Sequence, residues 1–117
     1  MSKADDQRRK EALWRIAQIR QEISRLDLLC SGTLLRRTKV CGKTACRCAQ
    51  DFSERHGPYY EWSRRQGNRL VHTILSKDEA ERLAQAIRNY RLVKRLLRRW
   101  ERETFKVIRA EEPAGHP

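Results

Sequence analysis

Glycine and proline are scarce in this chain: 5 and 3 among 117 residues. From about Ala4 to Leu29, and again from Ser76 to Arg109, neither occurs. Irregular, loop-dominated structure is therefore excluded over much of the sequence, since these two residues are the strongest local breakers of helices and strands. Long apolar runs are missing as well, and no stretch approaches the roughly 20 residues that cross a bilayer. The start, MSKADDQRRKEALWRI, lacks the apolar core of a secretory signal. A cytoplasmic protein without a membrane partner is the expectation. Four cysteines in that setting are reduced thiols or metal ligands rather than disulfides.

Acidic residues are also few, 15 Asp and Glu against 27 Lys and Arg, for a net charge of +12. Twenty of those cations are arginines, whose planar fork of donors matches phosphate better than the ammonium of lysine does. Such an excess repels itself and favours an anionic partner. The length allows one domain, expected over residues 1–110 with a disordered acidic tail at 111–117. With 38% hydrophobic and 36% charged residues its core is modest.

The hydrophobic periodicity predicts a first helix over 4–29. Leu13, Ile16, Ile19, Ile23, Leu26 and Cys30 recur at spacings of three and four and make one apolar stripe. Ser31-Gly32-Thr33 reads as its exit. A β meander occupies 33–75: a short strand from Thr33 to Val40, a Cys-rich loop, and a hairpin of Tyr59–Arg65 with Arg69–Leu75. With a three-residue loop of Gln66-Gly67-Asn68, Tyr60, Trp62, Leu70 and Ile74 share one face. Glu61, Ser63, Arg65, Arg69 and Thr73 then share the other.

Ser76-Lys77-Asp78-Glu79 has the capping-box pattern and opens a long helix over 76–109. Its expected apolar stripe is Ala80, Leu83, Ile87, Tyr90, Val93, Leu97 and Trp100. The fold class that results is α+β: an N-terminal helix, a small antiparallel three-stranded meander and a long C-terminal helix.

Two constellations carry chemistry. Cys41, Cys46 and Cys48, with His56 eight residues beyond the last, supply three thiolates and an imidazole. That is the Cys₃His donor set of closed, tetrahedral structural zinc sites. Lys43, Arg47 and Arg55 would offset the charge of three thiolates. The competing reading packs the thiols as small hydrophobes, and His72 is a substitute for His56. Glu54 and Glu61 fit no catalytic spacing, so neither an enzyme nor a small-molecule substrate is expected.

The second constellation is the long helix. Between Ser76 and Arg109 it carries 11 cations and 5 anions. Arg88, Arg91, Arg95, Arg98 and Arg102 cluster on the side away from its expected apolar stripe, and Arg99 joins them. Charge runs are usually solvated faces, but this one is nearly single-signed and suits phosphate. Arg37, Lys39, Arg65 and Arg69 on the meander form a second candidate platform.

Ser31-Gly32-Thr33-Leu34, Cys41-Gly42-Lys43, Cys46-Arg47-Cys48 and His56-Gly57-Pro58-Tyr59-Tyr60 resemble, in that order, a family of small prokaryotic proteins of unknown function. The resemblance spans Ser31 to Leu97. It implies that Cys41, Cys46, Cys48 and His56 act as one unit around a metal, and it implies no activity. The sequence thus describes a nucleic-acid-binding, in the first instance DNA-binding, accessory or regulatory protein with one structural zinc ion. The alternative is an interaction module that dimerises through its long helices, with Leu96, Trp100 and Phe105 exposed, and meets an acidic partner.

Overall fold

The computed structural model describes residues 1–39, 47 and 56–112. In chain order these form α1 (Lys3–Ser24), β1 (Thr33–Lys39), β2 (His56–Gln66), β3 (Arg69–Leu75) and α2 (Lys77–Ala110). The three strands make one antiparallel sheet of order β1-β2-β3. The α+β class and its element order are those the sequence pattern predicts. The chain groups into two compact units, Met1–Leu28 with Asn89–Pro117, and Leu29–Arg88. Among the described residues no helix is long and apolar enough to cross a membrane.

The first unit is a helical hairpin. Ser2 caps α1, its Oγ accepting from the Asp5 amide at 3.0 Å. Asp5 and Asp6 then place negative charge at the positive end of the helix. Bonds from Arg8 and from Ser2 hold the Asp5 carboxyl below its ordinary value.

The helix stops at Ser24, five residues short of the expected end at Leu29. No breaker is responsible. The Ser24 hydroxyl donates to the Gln21 carbonyl at 2.8 Å, and Arg25 and Leu26 close tighter i→i−3 bonds to Glu22 and Ile23. The Asp27 carboxylate accepts from the Leu28 amide, and the Leu28 carbonyl accepts from Asn89 of α2 at 2.8 Å. Backbone groups a longer helix would satisfy internally are satisfied by side chains and by α2 instead. Cys30 accordingly leaves the helical stripe; in the second unit its amide donates to the Ala86 carbonyl at 3.2 Å.

Ala12 and Ile19 of α1 and Leu96 and Ala110 of α2 are the buried apolar residues of this unit. Glu103 of α2 reaches Arg15 at 3.3 Å, and Glu111 reaches Arg9 at 2.9 Å, so α1 and this part of α2 run antiparallel. Glu111 is thus tied into the hairpin, and residues 113–117 of the expected tail lie outside the described ones. The buried face of α2 also departs from expectation. Leu96 is 1% exposed, whereas Leu97 of the predicted stripe is 46% exposed. Asn89, Leu96 and Ala110 turn toward α1, because the Asn89 bond and the Glu103 ion pair fix which side of the helix faces it.

In the second unit the hairpin register decides the sheet faces. Gln66 pairs with Arg69, leaving Gly67-Asn68 as a two-residue loop, with Gly67 at φ +62°. Glycine with positive φ at the first loop position is the type II′ arrangement that matches strand twist. The expected three-residue loop is therefore corrected. A one-residue slip moves every side chain of a strand to the other face. Leu70 and Ile74 lie with Glu61, Ser63 and Arg65, 59% and 61% exposed, while Val71, Thr73 and Leu75 join Tyr60 and Trp62.

On this second face Arg64 stacks over Trp62, 3.9 Å from the ring centre, and donates to Thr73 at 2.6 Å. The Trp62 indole donates to the Ser31 carbonyl at 2.9 Å, pinning the entry to β1. There Gly32 sits at φ +110°, where a Cβ would lie 2.5 Å from the Ser63 carbonyl oxygen and 2.7 Å from the Trp62 indole nitrogen.

α2 opens as its sequence predicts. The Ser76 hydroxyl accepts from the Glu79 amide at 3.1 Å, and the Glu79 carboxylate accepts from the Ser76 amide at 2.9 Å. The bond from the Ser76 amide, with a smaller contribution from the Ser76 side chain, holds the Glu79 carboxyl below its ordinary value of 4.5.

Two measurements test this architecture. Gly32→Ala meets both positive φ and immovable backbone and should cost more than about 2 kcal/mol in chemical denaturation. Gly67→Ala, with open space around it, should cost only about 1 kcal/mol. The second concerns Glu103. Burial pushes its carboxyl up, but bonds from Lys106 and Arg15 outweigh this and hold it below 4.5. A depressed folded value stabilises above the ordinary one and loses that contribution as pH falls through the depressed value. Glu103→Gln should therefore destabilise by about 1 kcal/mol near neutrality and match the wild-type melting temperature in strong acid.

Candidate nucleic-acid interface

Along α2 in the helical unit, Arg91, Arg95, Arg98, Arg99 and Arg102 are all exposed. At 1.5 Å per residue, Arg91 to Arg102 covers about 16 Å, comparable to the rise of about five base pairs of duplex. Among the described residues no carboxylate pairs with any of the five. Arg98 is engaged only by the Lys94 carbonyl, at 3.3 Å from its Nε. Arg88, in the other unit, bonds Gln85 at 2.8 Å.

Five acids of the helical unit are committed to other cations. Asp5 pairs with Arg8 at 2.7 Å and Asp6 with Lys10 at 3.1 Å. Glu11 lies 3.7 Å from Arg15, Glu103 binds Arg15 and Lys106, and Glu111 binds Arg9. Glu101 stands on the flank beyond the row and forms no ion pair among the described residues. The outcome is a row of guanidinium groups with its donors open to solvent.

The sheet platform is less coherent than the sequence suggested. Arg37 is 3.9 Å from Glu61, which partly offsets it. The other Glu61 oxygen lies 3.0 Å from His72 Nδ1, and the Ser63 hydroxyl lies 2.7 Å from the same nitrogen. Both contacts fall on one ring nitrogen, so the three residues do not form the relay of a serine nucleophile, which uses both nitrogens. Arg65 and Arg69 are exposed, but the corrected register puts them on opposite faces. The residues that sequence reasoning missed here are Leu35, Leu70 and Ile74, which share the open face with Arg37 and Arg65. A fixed loop length of two would have revealed Leu70 and Ile74.

Cys41, Cys46 and Cys48 lie outside the described residues, as do the side chains of Lys39 and His56. The backbones of Lys39 and His56 are paired across β1 and β2, beyond a register shift after Arg37. This ladder joins the two ends of segment 40–55. Arg47, the described cation of that segment, is exposed.

A family model described as Domain of unknown function (DUF6788) matches residues 5–85, from the first turn of α1 into the first third of α2. The chain belongs to that family. No curated protein and no solved structure matches it.

Proposed function

We propose that the protein binds nucleic acid, DNA in the first instance, through the arginine row of α2, as an accessory or regulatory factor rather than an enzyme. The observation that carries this reading is the open row itself: five exposed arginines on one helix with no carboxylate paired to them among the described residues, while Glu103 and Glu111 pair with α1 instead. A single-signed row of fixed spacing is what a phosphate backbone complements. It holds a protein on the duplex, whereas base readout requires side chains placed into a groove. An acidic protein partner would meet the same row, and a polyanion titration separates the two.

In fluorescence anisotropy with a short DNA duplex, affinity should fall steeply as salt rises. Each of Arg95→Ala and Arg102→Ala should lower the slope of log affinity against log salt by about one, uniformly across sequences. Absence of binding at low ionic strength would favour the acidic protein partner.

We also propose one structural zinc ion held by Cys41, Cys46, Cys48 and His56. Its support is the donor set together with the Lys39–His56 ladder, which closes the segment bearing the thiols. Closing a loop of that length leaves a metal with less chain entropy to offset. Elemental analysis should find about one zinc per chain, and chelation should lower the melting temperature. A metal-free protein with an unchanged melting temperature would remove the site.

A further inference from the structure

The exposed side of α2 carries a second surface beside the arginines. Leu97, Trp100, Glu101, Thr104, Phe105 and Ile108 line an apolar depression of about 480 Å³, and all six lie on this one helix. Leu97, Phe105 and Ile108 are 46%, 59% and 53% exposed. Single exposed apolar residues need no partner, but a continuous stripe across more than two turns marks an interaction surface.

We infer that this stripe is a homodimer interface, occupied by the same stripe of a second copy running antiparallel. Three features of the chain select that occupant. Its spacings read three, one, three, one and three, the same from either end. A two-fold contact requires such self-complementarity, because residue i must meet j while j meets i. One layer sets Leu97 against the partner's Ile108. The next sets the Trp100-Glu101 step against the partner's Thr104-Phe105 step.

The second feature is charge. The same arrangement brings Lys94, exposed on the flank of the stripe, within one residue of the level of the partner's Glu112, which is exposed just past the end of α2. Lys94 lies over its own Tyr90 ring at 5.6 Å, a contact loose enough to share. The third is where the arginines fall. They occupy the neighbouring sector of α2 rather than the stripe, so burying the stripe leaves every one of them in water. A two-fold axis perpendicular to the helix pair sets both arginine rows on the same side of the dimer.

This inference is independent of nucleic-acid binding, and salt distinguishes them. Like charges bordering an apolar contact repel, and salt screens that repulsion. Dimerisation should therefore strengthen with salt, whereas a phosphate contact weakens.

Sedimentation equilibrium on the full chain, from micromolar to sub-millimolar concentration, tests it. The wild type should populate a dimer of twice 13.9 kDa. Leu97→Gln with Phe105→Gln should be monomeric with unchanged circular dichroism, since both side chains already face solvent. Lys94→Glu alone and Glu112→Lys alone should each weaken the dimer about two- to fivefold, and the two together should restore it. A monomeric wild type overturns the inference, as does a dimer indifferent to Leu97→Gln with Phe105→Gln. So does failure of the double charge reversal to rescue the single ones.

Discussion

The ion pairs between the two helices of the first unit govern what the rest of its surface can do. Glu103 is on α2, the same helix as the arginine row, and Glu111 lies just past its end, yet both turn toward α1 and pair with Arg15 and Arg9. Glu103 keeps only 12% of its side chain exposed and also binds Lys106. A partly buried carboxylate shared by two cations is more than a surface ornament, because removing it would leave Arg15 without its cross-helix partner. The scarcity of acids in the sequence then has a spatial consequence. Carboxylates used to join helices are not there to neutralise the solvent side, and Arg91, Arg95, Arg98, Arg99 and Arg102 stay open.

In the sheet unit a different constraint operates. Gly32 approaches the Ser63 carbonyl too closely for any side chain, and the Trp62 indole bonds the carbonyl just before it. The start of β1 is fixed by backbone contact rather than by hydrophobic burial, which suits a chain with few apolar residues. The opposite face of the sheet is then left partly apolar, with Leu70 and Ile74 beside a polar cluster of Glu61, Ser63 and His72. In a protein this basic, an ion pair of Arg37 with Glu61 on that face also leaves the sheet with a less single-signed set of cations than α2 carries.

Much of this was readable before any coordinates. The capping box at Ser76 and Glu79 is purely local, two residues satisfying each other's amides, so the start of α2 followed from four letters. The single-signed row was equally legible, because helical spacing alone places those arginines together. The hairpin was visible in its strand residues, but its faces were not. Gly67-Asn68 and Gln66-Gly67-Asn68 are both plausible loops, and one residue of difference exchanges Leu70 for Val71 on the inner side. The end of α1 was hidden for another reason. Nothing between Ser24 and Leu29 breaks a helix, and beside the local bonds of Ser24 and Asp27 the Leu28 carbonyl is satisfied by Asn89, 61 positions away.

Local sequence by itself determined which segments are helical or extended, where α2 begins, and that the protein presents an excess of guanidinium groups. Those properties depend on neighbours within a few residues and on composition. Tertiary structure alone decided which side of α2 is buried, putting Leu96 inside and Leu97 in water, and which acids are withdrawn from the arginine row. An amphipathic helix of mixed pattern admits more than one buried face, and only docking against α1, through Asn89 and Glu103, selects between them.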